Sequence, residues 1–290
     1  MINPPRLERR YLFTGLLTLE TGLHVGGSWT VGSLSDSPVI RTPDGLPFIP
    51  GSGFKGAFRS TVEKLTLAAG LSSCALLEGQ GCIGAQGKQQ DDFNKTLRDR
   101  TSRNPNRDAA YLTELNQKLC DTCKLLGSPY AASRIYFADL LPAEEDLLAA
   151  SMIQVRDGVA IDRDSEKAVD RLKYDYEVVA AAQTFQLSIT LEGPTDNDLA
   201  LTCLGLREFV AGFGHVGGKR SRGLGACRIE QLAILALDLT DANTEERARR
   251  LQKYLLGKKP AEKMTSIPNA EVFLDEWIRT LPIFQEGYHA

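Results

Sequence analysis

The residues able to do chemistry fall into a few short runs. Pro50-Gly51-Ser52-Gly53-Phe54-Lys55-Gly56-Ala57-Phe58-Arg59 reads as a turn with Ser52 as N-cap, opening a helix that runs to about Ala69. Its glycines let backbone approach a ligand closely, the helix N-terminus offers unbonded N–H groups to a phosphate, and Lys55 and Arg59, one turn apart, can clamp the same anion. A second run, Gly212-Phe213-Gly214-His215-Val216-Gly217-Gly218-Lys219-Arg220-Ser221-Arg222-Gly223-Leu224-Gly225, sets three cations among glycines, which suits a nucleic-acid backbone. Cys120-Asp121-Thr122-Cys123 has the spacing of half a zinc site, and Cys74 with Cys82 can complete a tetrahedral set for structural zinc. The arrangement departs from a standard finger: residues 75–81 separate the first pair, and residues 83–119 stand between it and the second. Cys203 and Cys227 lie in apolar patterns and read as buried packing residues.

Taken singly, each run has a plain structural reading as a turn, a solvated helix face or a set of buried thiols, so the elements that carry the runs matter. Residues 11–20 are rich in β-formers and stop at Thr21-Gly22, and a Gly- and Ser-rich loop follows from Gly26 to Pro38. From about Ser72 to Lys118 the chain is polar without sustained apolar periodicity, as an insertion with one short helix would be. Arg134–Asp139 reads as a short strand. Met152–Glu177 is an excursion whose flanks pair as an extended hairpin around a charged middle. Gln183–Glu192 alternates as a strand, Asp196–Gly212 is helical, and Ala226–Ile234 is a final strand. The order β, α, β, hairpin, β, α, β is the ferredoxin-like plan of an α+β fold, shared with RNA-recognition (RRM-like) modules. Two helices are expected in the tail from Asp241.

Composition sets limits on partners. At 31.8 kDa, with 42% hydrophobic and 24% charged residues, the chain is an ordinary globular protein rather than a disordered or fibrous one. A net charge of −3 gives no general support for a nucleic-acid partner, so any phosphate-binding surface must be local. No run of about 18 uncharged apolar residues occurs, and MINPPRLERRYLF carries charges where a signal peptide needs an apolar centre. The expectation is a cytoplasmic protein without a membrane partner, with thiols kept reduced for metal binding.

The order of the runs resembles the RAMP superfamily of CRISPR-associated proteins. There, an N-terminal strand leads through G-[LI]-H-[VI]-G to an Asp-x-Pro-[VI] loop and a P-[YF]-I-P-G-[ST]-x-x-[KR]-G-x-x-R helix start. Here these read GLHVG (Gly22–Gly26), Asp36-Ser37-Pro38-Val39 and PFIPGSGFKGAFR (Pro47–Arg59). The Gly212–Gly225 run is similar to the family's C-terminal glycine-rich loop. Gly158–Arg163 with Leu172–Val179 resembles the thumb hairpin of the repeated backbone subunits of type III CRISPR effector complexes. The matches run from about Tyr11 to Ile229.

That resemblance implies a RAMP domain over 1–240, with an insertion at about 72–130 and a thumb at about 152–180, then a helical tail over 241–290. It implies guide RNA, target RNA and other effector subunits, including neighbouring backbone subunits, as partners. RNA contacts are implied at His24, Arg41, Ser52, Lys55, Arg59, Arg163, His215, Lys219, Arg220 and Arg222. The Asp of the Asp-x-Pro loop, here Asp36, is implied as the catalytic residue of an endoribonuclease that cuts target RNA. It would act either as general base toward the 2′-OH or as ligand to a divalent cation such as Mg or Mn. Two alternatives stand beside it: a non-catalytic RNA-binding subunit in which Asp36 only caps the turn before Pro38, and a guide-precursor nuclease working through His24 and His215. For His24, at a strand end, a structural or stacking role is the simpler reading.

Overall fold

Alternation along the first strand sets the plane of the molecule. In β1 (Arg9–Leu19), Tyr11, Phe13, Leu17 and Leu19 are all buried on one face, the period-2 signature of a strand covered on that side. The computed structural model describes residues 7–27, 35–74, 82–83, 95, 107–143, 152–161, 163–164, 167–240 and 243–285. After β1 come α1 (Gly51–Thr66), α2 (Arg107–Lys118), α3 (Asp121–Leu126), β2 (Ile135–Phe137), β3 (Ile153–Ile161), β4 (Ala168–Val179) and β5 (Thr184–Glu192). They are followed by α4 (Asp196–Val210), β6 (Gly214–His215), β7 (Ala226–Asp238), α5 (Thr244–Leu256), α6 (Pro260–Lys263), β8 (Thr265–Ile267) and α7 (Ala270–Ile278).

The main sheet is antiparallel with strand order β2-β5-β1-β7-β6, and β8 pairs with β7. With α1 linking β1 to β2 and α4 linking β5 to β7, the order β2-β5-β1-β7 is the ferredoxin-like arrangement expected from the sequence. β3 and β4 form a separate two-stranded hairpin, also as expected. Both crossover helices lie on the buried face. Phe54 and Phe58 of α1 meet Phe209 of α4 at ring-centroid distances of 5.1 and 6.2 Å. Gly205 of α4 makes the approach possible, because a Cβ there would stand 2.5 Å from the Phe58 ring. α4 starts with a capping box in which Thr195 and Asp198 satisfy each other's backbone N–H groups.

Several elements depart from the sequence reading. β7 continues past Ile234 to Asp238 because a bulge at Gln231, in the left-handed region at φ 52°, opposes Gly15 and shifts the core-facing alternation from Cys227 and Ile229 to Ile234 and Ala236, while Leu237 packs on the other face with Leu239 and Met264. Ser52 is not the cap of α1. The helix begins at Gly51 after Pro50, and the Gly51 N–H donates to Asp139 Oδ1 at 2.7 Å. The β2 exit packs so closely that a Cβ on Gly51 would lie 2.3 Å from the Phe137 carbonyl oxygen, which delivers Asp139 to the helix start. The insertion holds two described helices rather than one, since Thr122, Cys123, Leu125 and Leu126 bury α3 without a long apolar period. The tail adds α6 and the strand β8, whose Ile267 pairs with Ile234. In α7, Leu274 is fully buried in the main core and Phe273 meets Tyr11 at 5.9 Å. Among the described residues no helix is long and apolar enough to cross a membrane.

Candidate nucleic-acid interface and metal centre

The Asp36 loop is stitched to the foot of the β3–β4 hairpin. Asp36 is exposed; its backbone N–H donates to Asp175 Oδ1 at 2.7 Å, and the Asp175 N–H donates to Asp36 Oδ2 at 3.1 Å. Ser37 bridges Tyr176, with the Glu177 N–H donating to the Ser37 carbonyl at 3.0 Å. Two positions along β4, the buried Glu177 carboxylate accepts from the Val39 N–H at 3.0 Å and from Arg41 at 2.9 Å. A buried carboxylate needs such partners, and here they hold residues 36–41 on the strand.

His24 lies behind this loop rather than on its surface. It is 7% exposed, with Nδ1 2.7 Å from the Glu177 carbonyl oxygen and Nε2 3.3 Å from Ser37 Oγ, and its ring meets Tyr176 edge-on at 5.8 Å. The glycine-rich loop closes over the same place. Gly218 N–H donates to the His24 carbonyl at 2.9 Å, and Gly225 N–H to that of Gly22 at 2.8 Å. Lys219 Nζ sits 4.4 Å from the Tyr176 ring centroid and 5.3 Å from that of Tyr174, and Arg222 donates to the Tyr174 hydroxyl at 2.5 Å. Arg220 donates to the Gly217 carbonyl at 3.3 Å, while the half-buried His215 has Nδ1 3.2 Å from the Phe213 carbonyl oxygen.

The close fit of this loop gives a stability prediction with its own control. Gly225 has φ 86°, and a Cβ there would stand 2.0 Å from the Val216 carbonyl oxygen; Gly223 has φ 78° with no atom within 4 Å. Gly225→Ala is expected to destabilise the fold by about 3 kcal/mol in urea unfolding, and Gly223→Ala by about 1 kcal/mol, the backbone strain alone.

The remaining cations are spread more widely. Ser52 is exposed at the start of α1, and the partly buried Lys55 has its pKa lowered by burial and by the charge of Arg59. Arg59 does not present its N–H groups beside Lys55. Its guanidinium donates to Glu63 at 2.7 Å, to the Gly127 carbonyl at 3.0 Å and to Cys123 Sγ at 3.5 Å. Arg163 is exposed at the turn between β3 and β4. The structure thus gathers Asp36, His24, Arg41, Lys219 and Arg222 at the foot of the hairpin, leaves Ser52 and Lys55 on α1, and turns Arg59 toward the cysteines.

Cys74, Cys82, Cys120 and Cys123 are buried, with all four sulfurs within 4.8 Å of one another and Cys74 and Cys123 Sγ at 3.6 Å. Four thiolates at about 2.3 Å from a tetrahedral ion stand about 3.8 Å apart, so the set fits a metal with little movement. Hydrogen bonding with Cys123 and Cys82 lowers the Cys120 pKa, and the same contact with Cys120 raises that of Cys123. Arg59 supplies an outer contact to the Cys123 sulfur, of the kind that orients a metal ligand. Cys203 and Cys227 stand apart in the main core; burial raises both thiols, Cys227 to about 12.

Asp175, Glu177 and the two tyrosines were not singled out by the sequence reading. Their signal was present in the alternation Tyr174-Asp175-Tyr176-Glu177, but a charged edge hairpin carries the same pattern.

Comparison with known proteins bears on this geometry. The sequence model of the RAMP superfamily matches residues 16–228. A protein of Streptococcus thermophilus named CRISPR system Cms endoribonuclease Csm3 is 25% identical over 235 residues, covering 76% of this chain and 87% of that protein. Its namesake from Methanocaldococcus jannaschii is 22% identical over 242 residues, covering 79% and 82%. That from Methanothermobacter thermautotrophicus is 45% identical over 62 residues, and there the chain spans only 25% of the relative's length.

Proposed function

The chain belongs to the RAMP superfamily, and from that premise we propose that it is a backbone subunit of a type III CRISPR effector ribonucleoprotein. It binds guide RNA and cuts complementary target RNA at Asp36. The endoribonuclease names of its relatives support this reading. The observation that carries it is the setting of Asp36: an exposed carboxylate held in a fixed pose at the foot of a projecting hairpin, beside a loop bearing Lys219, Arg220 and Arg222. Carboxylate and cations so placed can meet an RNA backbone together, the cations holding phosphates without regard to sequence. Guide pairing then supplies specificity.

In this reading residues 1–240 form the RAMP domain, and neighbouring backbone subunits stand side by side along the guide. The projecting hairpin enters between guide and target, with Val155 and Val159 exposed on it. Asp36 serves as base toward the 2′-OH or as a ligand of Mg or Mn. The four cysteines hold structural zinc.

The burial of His24, with both ring nitrogens engaged, speaks against precursor processing through that residue. The reciprocal bonds of Asp36 would also suit a loop of purely structural purpose, so a non-catalytic scaffold is the second reading.

The guide-loaded complex is expected to cut labelled complementary RNA at discrete positions and to spare non-complementary RNA; absence of any cut by the wild-type complex would leave only the scaffold. Binding of single-stranded RNA to the subunit should depend on salt despite the net negative charge. With Lys55, Lys219, Arg220 and Arg222 each neutralising one phosphate, affinity should fall about 50-fold between 50 and 200 mM salt. A flat response, read by filter binding, would rule out phosphate clamping.

A further inference from the structure

We propose that Asp175, on the hairpin strand β4, is the positioning residue for Asp36; this rests on the reading of Asp36 as the cutting residue. The two residues hold each other twice. Asp175 Oδ1 accepts the Asp36 N–H at 2.7 Å, and Asp36 Oδ2 accepts the Asp175 N–H at 3.1 Å. The first bond fixes the backbone from which the Asp36 side chain projects. The second fixes the side chain itself and leaves Oδ1 of Asp36 for the chemistry.

The choice of residue at 175 is costly for stability. Its carboxylate lies beside that of Asp36, and its partner across the hairpin is the exposed Asp157, so like charges face one another on β3 and β4. A neutral acceptor would hold the Asp36 N–H without that repulsion. What Asp175 gains is a short bond from an amide to a charged acceptor, stronger and more directional than a neutral one. Glu177, two residues along the same strand, holds Val39 and Arg41 and carries the rest of the loop. Asp175 therefore acts on position 36 itself. It also ties the catalytic carboxylate to the hairpin, so the seating of an RNA strand against β4 and the placement of Asp36 become one event.

The test compares Asp175→Ala, Asp175→Asn and Asp36→Ala in the assembled guide-loaded complex, with single-turnover cutting followed across target concentrations. Asp175→Ala should slow cutting at saturating target about 100-fold, the effect of a small misplacement of a reacting group, with half-saturation unchanged. Asp175→Asn, whose side-chain carbonyl accepts the same N–H, should recover most of the rate. Hydrogen exchange of the amides in residues 35–41 should quicken in Asp175→Ala and not in Asp175→Asn. Wild-type cutting by Asp175→Ala, or an Asp175→Asn as slow as Asp175→Ala, would overturn the proposal; the second result would mean that the charge at 175 is needed, as for a cation ligand. If Asp36→Ala itself cuts normally, the catalytic reading falls. If Asp36→Ala is silent while Asp175→Ala is normal, only the positioning role falls.

Discussion

Asp36→Asn in the guide-loaded complex is expected to bind target RNA as the wild type does and to cut it about 10²- to 10⁴-fold more slowly. The substitution is chosen for what it preserves. The backbone N–H at position 36 still donates to Asp175, and the Asn side-chain oxygen still accepts the Asp175 N–H, so both bonds that hold the loop survive. The surrounding clasp does not involve the charge of Asp36 at all: Val39 and Arg41 remain on Glu177, and Lys219 and Arg222 remain on the tyrosines. Only the negative charge is lost, and with it the capacity to take a proton from the 2′-OH or to hold a divalent cation. A manganese titration of the variant separates these roles. A residual rate that climbs with manganese marks a cation ligand, since a weakened site is refilled by mass action; a rate that stays flat marks a base. An unchanged cutting pattern would make this subunit a scaffold.

The ferredoxin-like order was legible because it rests on long apolar alternations such as Phe185, Leu187, Ile189 and Leu191, which specify a face whatever the loops do. The four cysteines were legible for a different reason: the Cys-x-x-Cys spacing of residues 120 and 123, with Cys74 and Cys82 upstream, is a local pattern that can supply a tetrahedral ligand set. What escaped were contacts between segments remote in sequence. Asp139 replaces Ser52 at the start of α1 from 88 residues away, and Asp175 reaches Asp36 across 139. No local propensity encodes either pair. Arg59 shows the opposite failure. Helical spacing places it one turn from Lys55 on one side and from Glu63 on the other, and the close approach of α3 adds Gly127 and Cys123 to Glu63 as partners for its N–H groups. Spacing defines which residues share a helix; it does not say which way a long side chain turns once a second helix packs nearby.

Removing the metal, or substituting Cys123→Ser, is expected to destabilise the insertion by about 4 kcal/mol or more while the main sheet stays folded. The physical basis is the size of the core around the sulfurs. Among the described residues it contains, besides the four cysteines, Ile83, Leu115 and Leu119 as buried apolar residues, with Tyr130 and Ala131 against it, a small core for α2, whereas Leu125 and Leu126 tie α3 to the main core as well. Purified protein should carry one zinc per chain, and a strong chelator should expose sites within residues 72–126 to protease while fragments spanning the β1–β7 sheet persist. Cys203 and Cys227 provide an internal gauge: buried in the main core, they should resist thiol reagents after chelation while the other four react. The effect should not stop at the insertion. Arg59 bonds α1 to Cys123 and to the Gly127 carbonyl that follows α3, so loosening the centre removes two of the contacts that hold the Lys55-bearing helix in place. Guide affinity should therefore fall on chelation, although all four cysteines are buried. Substantially less than one metal per chain, or protease patterns indifferent to chelation, would reduce the four cysteines to a packing cluster and leave Arg59 as an ordinary helix-to-helix tie.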